Sequence, residues 1–374
     1  MEGEKLDAII FGATGFTGQI VVGDAIDILK DFKWGIAGRN ELKLKTLLED
    51  MGQKMQIDLS YIPVVVANVN DQISIETMAQ KCKIVINCCG PYQVFGEVVV
   101  KACINAGTHH VDLSGVINSI ELHAVIKPNY QDTSSKAILN YGTWESLICS
   151  MQYARELLTL ERKLNKEEMP KLTPKLWMRP YPHRTETLSE YFAPFPITDR
   201  TVVQRSQRLF YMREQKRPIQ FEMYMGFRSF FLALIFPLLL ILGVIMAQMS
   251  FTRKLLLKYP HTFSRGLMTH QGPTETNRKA AEFSYVVNAK GWPEGTPQTD
   301  APNKVVMVRV SGKDPCYGVT SSCLLTSAKV ILQEHQIMPG KGGVLPPGFA
   351  FAPTQLLKEM EMCKSGLKFE ILKL

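Results

Sequence analysis

The eight cysteines of this 374-residue chain form no Cys-x-x-Cys pair, and no histidine set with zinc spacing accompanies them. A disulfide or metal framework is therefore excluded as the organising device, and a reduced, cytosol-facing protein is the simplest account. The start, MEGEKLD, is acidic and lacks an apolar core, so neither a cleaved secretory leader nor a transit peptide is expected. Internal repeats and low-complexity blocks are missing too, which excludes a solenoid or a largely disordered chain. What remains is a globular composition, 45% hydrophobic and 21% charged, in a chain long enough for two domains.

Acidic residues are scarce in one window. Between Thr201 and Thr269 ten basic residues (Arg205, Arg208, Arg213, Lys216, Arg217, Arg228, Arg253, Lys254, Lys258 and Arg265) stand against Glu214 and Glu222, which accounts for the whole net charge of +8. Inside this window lies the longest apolar run, Ser229 to Gln248, free of charge and guarded by basic residues. At about 1.5 Å per residue it is long enough for a hydrocarbon core of roughly 30 Å. A membrane or lipid-droplet surface, met through 229–249 and the flanking basic residues, is the expected partner, and nucleic acid is not. A solvated basic face and a buried core helix are the plain alternatives.

A simple crossing conflicts with topology, because strands expected at Val116 to Ile126, Phe283 to Ala289 and Val305 to Val310 should share one sheet. Pro237 removes a helix hydrogen bond and Gly243 follows it, so a kinked or hairpin insertion from one side, a monotopic anchor, is expected.

The strongest local signal is Ile9 to Gly18, IIFGATGFTG, a strand opening through a glycine turn onto a helix. Gly12, Gly15 and Gly18 let backbone approach a pyrophosphate, with Ala13, Thr14, Phe16 and Thr17 completing the loop and helix amides facing the anion. The plain reading is a strand-turn-helix with no ligand. Lys33 to Gly38 is a second strand followed by Arg39 and Asn40. An arginine there can pair with a 2′-phosphate, which tilts the choice toward NADP over NAD without excluding NAD; a surface arginine at a helix start is the alternative. Ile62 to Ala67 makes a third strand ending at Asn68, with helical spacing over Ile73 to Ala79. Ile84 to Cys88 makes a fourth, running into Cys89, Gly90 and Pro91, a turn that offers amides at the sheet edge where ligands of open parallel sheets lie. The two thiols read as buried rather than nucleophilic. A helix over Val98 to Ala106 and a strand over His109 to Leu113 complete a doubly wound parallel sheet of order 3-2-1-4-5. Adjacent His109 and His110 point to opposite faces and are poor partners for a shared metal; no metal is expected.

After Gly115 the pattern changes to a largely period-two strand, expected to be half-buried and antiparallel, and a second α+β domain begins. The division is 1–115, Rossmann-like, and 116–374, with a mixed or antiparallel sheet and the apolar insertion. Thr143 is expected to cap a helix running through Trp144 to Leu158. Lys166 to Pro218 is proline-interrupted and reads as irregular. Glu282 to Ala289 and Lys304 to Ser311 read as strands, Val319 to Glu334 as a helix and Gly342 to Gly348 as a rigid turn. A helix over Thr354 to Met362 and a strand near Phe369 close the chain.

Six segments together resemble the saccharopine dehydrogenase-like oxidoreductase family, in its animal, membrane-associated branch: FGATGFTG (Phe11 to Gly18), AGRN (Ala37 to Asn40), NCCGPYQVFGE (Asn87 to Glu97), GTWES (Gly142 to Ser146), HQGPT (His270 to Thr274) and GGVLPPGFAF (Gly342 to Phe351). The resemblance implies an NAD(P)-binding Rossmann domain, a mixed-sheet second domain, an apolar insertion and association with lipid droplets or a cytosol-facing membrane, of the endoplasmic reticulum or the plasma membrane. The substrate is not implied. Relative to the family pattern, a helix, a sixth strand and a loop are absent after Ser114 and Gly115, and Asn68 replaces the usual aspartate at the end of strand three. No Tyr-x-x-x-Lys occurs, so the tyrosine chemistry of short-chain dehydrogenases is not supported, and no proton donor stands out. Two functions follow: an oxidoreductase acting in lipid, including glycolipid, metabolism, or an inactive lipid-surface scaffold that retains the nucleotide fold. A homo-oligomer remains open.

Overall fold

The computed structural model describes residues 5–89, 92–112, 121–164, 168–172, 175–185, 187–195, 198–291, 304–339, 343–362 and 366–373. The N-terminal part alternates strand and helix: β1 (Leu6–Phe11), α1 (Phe16–Ile28), β2 (Trp34–Gly38), α2 (Glu41–Met55), β3 (Val64–Val66), α3 (Gln72–Gln80), β4 (Cys82–Asn87), α4 (Tyr92–Ala106) and β5 (His109–Asp112). The strands pair in parallel in the order β3-β2-β1-β4-β5, as the sequence predicts. The central strands β1, β2 and β4 are buried on both faces, which is why these stretches read as unbroken apolar runs. Ala8 and Ile10 enter the core under α1 and α2, while Ile9 and Phe11 enter the one under α3 and α4. In β4, Ile84 and Ile86 oppose Val85 in the same way. Ile9, Ile10, Ile84 and Ile86 are fully buried, each contributing about 1.5–3 kcal/mol.

The remainder contains β6 (Glu121–Lys127), β7 (Leu139–Asn140), α5 (Tyr141–Gln152), α6 (Ala154–Leu164), β8 (Tyr191–Pro194), α7 (Thr198–Glu214), β9 (Glu222–Phe227), α8 (Phe230–Gln248), α9 (Ser250–Lys258), α10 (Pro260–Phe263) and β10 (Met268–Thr269). After these come α11 (Glu275–Ala280), β11 (Glu282–Gly291), β12 (Lys304–Lys313), α12 (Gly318–Glu334), α13 (Pro347–Ala350), α14 (Leu356–Met362) and β13 (Lys368–Lys373). A six-stranded sheet runs β13-β12-β11-β6-β9-β8, and β7 pairs with β10. The large sheet is mixed, since β6 runs parallel to β9 and antiparallel to β11. Helix α12 returns to the parallel sheet, where Leu324, Leu325, Ala328 and Ile331 share a core with Ala8 and Ile10.

Several local expectations are corrected here. β6 is central and buried on both faces rather than half-buried: Leu122 and Ala124 face one core, Val125 another, and Glu121 and His123 are also inside. The buried polar groups are satisfied from distant segments, as they must be. Arg179 Nη2 lies 3.2 Å from the Glu121 carboxylate. The Asn288 amide donates to His123 Nδ1 at 3.2 Å, and His123 Nε2 lies 3.3 Å from His183 Nε2. The stretch 113–120, including the Gly115 junction, lies outside the described residues. The helix expected over Thr143 to Leu158 is two helices parted at Tyr153, and Asn140 rather than Thr143 caps the first, accepting from the Gly142 amide. The stretch read as irregular contains β8 and the 17-residue α7. That helix was hidden because its packed face is mostly small or polar, with Val203, Ser206 and Gln207 buried.

The apolar run forms one continuous helix, α8, through Pro237, so the hairpin is not seen. Its flanking strands do share a sheet, with β9 and β11 on either side of β6. Small residues carry the contact with the body: Ala233 and Ala247 are buried, and a Cβ on Gly243 would lie 3.3 Å from Met151 Sδ. The Phe236 ring meets Phe195 and Phe227 at tilted angles, with centroids 5.8 and 4.8 Å away. Most of the remaining circumference is exposed, including Phe231, Leu238, Leu239, Ile241 and Leu242. By length and composition it is the one candidate membrane span among the described residues. Met249 breaks the helix, and Arg253 Nη1 then donates to the Ala247 carbonyl at 2.9 Å, so the turn into α9 is tied down.

Candidate functional site

The turn after β1 shows why its glycines are needed. Gly12 has φ +81°, and a Cβ there would meet the Cys89 amide nitrogen at 2.9 Å. A Cβ on Gly18 would lie 2.1 Å from the Gly12 carbonyl oxygen, so α1 packs directly on the turn. Gly15 differs, because its Cβ would meet only Gly12 O, at 3.2 Å, and the residue is exposed. Gly12 and Ala13 donate their amides to the Ala37 carbonyl, and Gly15 donates to Gly12. α1 begins at Phe16 with no side-chain cap, so the first-turn amides of Phe16, Thr17 and Gly18 are the orphan donors of a helix start. Open access at Gly15 and unpaired amides at a positive helix end fit the diphosphate of a dinucleotide. A bound nicotinamide dinucleotide would bring hydride-transfer chemistry. Thr14 contributes its carbonyl, which accepts from Gln19 Nε2 at 3.1 Å.

The other predicted residues divide into two groups. Arg39 is exposed just after β2, while Cys89, just after β4, packs against the core under α3 and α4. Burial pushes the Cys89 thiol up, with Arg39 opposing, and burial pushes Cys88 up to about 12. Neither environment makes a thiolate nucleophile. Asn40 is occupied as the cap of α2, accepting from the Lys43 amide at 3.0 Å. Asn68 is turned onto its own loop, accepting from the Asn70 amide at 3.2 Å while its own amide donates to Ser74 Oγ at 3.0 Å. Gly90 and Pro91 lie outside the described residues. Among the described residues no group of three or more His, Cys, Asp or Glu is placed to hold a metal.

Facing the loop is a wall that sequence reasoning did not assemble. The Phe16 ring meets Tyr317 edge-on, with centroids 4.9 Å apart. Gly272, with φ +73°, comes so close that a Cβ would lie 3.1 Å from the Phe16 ring. The Asn140 amide donates to the Tyr317 hydroxyl at 2.7 Å, and Asn140 Nδ2 donates to the His270 carbonyl at 2.9 Å. Tyr141 stacks on His270, centroids 4.3 Å apart. Burial raises the Tyr141 hydroxyl and pushes Tyr317 up to about 12, so both stay protonated at neutral pH. The segments around GTWES and HQGPT thus converge near the phosphate turn, through Gly272 beside Phe16 and through Tyr141 stacked on His270. The available signal was that both motifs carry polar and aromatic residues beside a glycine; their meeting depends on pairing of β7 with β10.

The strand order and the phosphate turn define an α/β protein with a Rossmann-like nucleotide-binding sheet and a second, mixed sheet. The profile of the saccharopine dehydrogenase NADP binding domain matches residues 8–175. The human saccharopine dehydrogenase-like oxidoreductase is 28% identical over 418 residues, covering 97% of this chain and 96% of that protein. A Caenorhabditis elegans lipid droplet localized protein is 27% identical over 405 residues, covering 94% and 95%. Apo saccharopine dehydrogenase (L-Glu forming) from Saccharomyces cerevisiae, 12% identical, aligns over 98% of this chain and 100% of that chain at TM-score 0.48. Over nearly its whole length the chain is thus similar to animal saccharopine dehydrogenase-like oxidoreductases, and residues 8–175 match the NADP binding domain of saccharopine dehydrogenase. The alignment with the human protein is longer than this chain, 418 against 374 residues, so that relative has positions with no counterpart here.

Proposed function

We propose that the chain is an NADP(H)-dependent oxidoreductase held on the cytosolic face of a lipid droplet or membrane and acting on a lipid, glycolipids included. The observation that carries the redox reading is the uncapped start of α1 behind the open Gly15. In this reading the amides of Phe16, Thr17 and Gly18, with Gly12 to Gly15, cradle the diphosphate, and Arg39 pairs with a 2′-phosphate. Asn40 and Asn68 shape the loops beside the adenosine side, and Cys89 borders the nicotinamide end. The lipid reading is supported by the exposed circumference of α8, by the basic residues around it and by the name of the worm relative. That β9 and β11 share one sheet supports insertion of α8 from one side.

Titration of the full chain with NADPH and NADH, followed by nucleotide fluorescence, tests the redox reading. NADPH is expected to bind more tightly, and Arg39→Glu to weaken NADPH at least tenfold, on the order of 1.4 kcal/mol, while sparing NADH. No binding of either at millimolar concentration would leave the inactive scaffold as the better account. Proteolysis in sealed microsomes tests the anchor, and protection of one flank of α8 but not the other would overturn one-sided insertion.

A further inference from the structure

We infer that α6 is a second lipid-contacting element, an in-plane amphipathic helix that lies among phospholipid headgroups beside α8. This rests on the reading of α8 as a lipid anchor. The helix follows α5 after a single intervening residue, and none of its residues is buried. Leu157, Leu160 and Leu164 lie on one face at helical spacing, and they are 40–71% exposed. Arg155 and Arg162 occupy the opposite side, with Lys163, Glu156 and Glu161 at the flanks. A water-facing helix has no reason to present such a leucine stripe, whereas an interfacial helix needs both halves.

Two observations choose the occupant. Gln248, the last residue of α8, donates through Nε2 to the carbonyls of Met151 and Gln152 at 2.8 and 3.0 Å, so the end of α5, from which α6 departs, is held at the C-terminal end of the apolar helix. On the other side of the same end α9 begins, with Phe251 exposed and with Arg253, Lys254 and Lys258 along its short length. The apolar surface of α8 therefore continues into two helices that carry six basic side chains against two acidic ones, Glu156 and Glu161, an arrangement complementary to anionic headgroups above acyl chains.

Flotation of the full chain with vesicles of phosphatidylcholine and phosphatidylserine tests this, using wild type, the variant Leu157→Glu/Leu160→Glu/Leu164→Glu, and Leu239→Glu/Leu242→Glu in α8. The α6 variant is expected to bind at least tenfold more weakly with unchanged melting temperature, since no buried contact is touched. Binding is also expected to fall when phosphatidylserine is omitted. Wild type that fails to float would overturn the anchor reading itself. Wild type that floats, loses binding through the α8 changes and keeps it through the α6 changes would overturn only the inference about α6. A lipid-free wild type that sediments as a dimer, with the α6 variant a monomer, would assign the leucine face to a second copy and overturn it as well.

Discussion

The two sheets bury their central strands by different means. β1 fills both of its faces with Ala8, Ile9, Ile10 and Phe11, and its neighbours β2 and β4 are supplied by adjoining strand-helix units. β6 is as deeply enclosed but carries Glu121 and His123 inside, and its neighbours β9 and β11 come from far along the chain. Apolar burial needs no partner beyond good packing, whereas each buried polar group needs a particular donor or acceptor. The parallel sheet is therefore vulnerable where backbone must pass close to backbone. The mixed sheet is vulnerable where one side chain completes another.

Breaking the first region should have the largest effect. Gly18→Val places carbon against the Gly12 carbonyl oxygen and the Ala13 backbone, none of which can swing aside, and should cost more than about 3 kcal/mol, read as a collapse of the melting transition. In the second region, His123→Leu leaves the Asn288 amide and the His183 ring without their partner and should cost about 1–3 kcal/mol by chemical denaturation. It should also change the acid limb. Burial and the neighbouring His183 hold His123 down at about 3, so below the ordinary histidine value of 6.5 the unfolded chain takes a proton that the folded chain refuses. Wild-type stability falls as pH drops from about 6.5 toward 3, by on the order of 1 kcal/mol per pH unit from this residue, and the Leu variant should show a shallower decline over that window. An equal slope would mean that His123 is not the buried neutral base described here. The smallest effect sharpens the glycine contrast. Gly23 lies in the same helix as Gly18, but a Cβ there meets nothing nearer than the Met51 methyl at 4.0 Å. Gly23→Ala should therefore stabilise by roughly 0.5–1 kcal/mol, seen as a raised melting temperature.

The same contrast explains which features were legible. Strand order, the phosphate turn, α12 and the long apolar helix follow from short-range patterns: apolar runs between helical spacings, glycine at fixed offsets, an uncharged stretch of bilayer length. α7 was missed because its buried face uses Val203, Ser206 and Gln207 instead of a hydrophobic stripe. The break at Tyr153 between α5 and α6 was missed because the apolar spacing runs through it. Within the candidate site, the glycines and Arg39 were readable, but Asn40 and Asn68 proved to be engaged by their own loops. Asn140, Tyr141, His270 and Tyr317 were not foreseen as neighbours of Phe16.

By itself the sequence determined that this chain builds a parallel nucleotide-type sheet with a phosphate turn, and that an uncharged helix with basic flanks interrupts its second part, because both are written in residue types at local spacing. Tertiary structure alone decided that α8 lies along the body on Ala233, Gly243 and Ala247, that the end of α5, from which α6 departs, is held beside its end, and that Tyr141, His270 and Tyr317 converge near the phosphate turn. Those outcomes depend on which distant strands pair, and a period in the sequence carries no record of its partner.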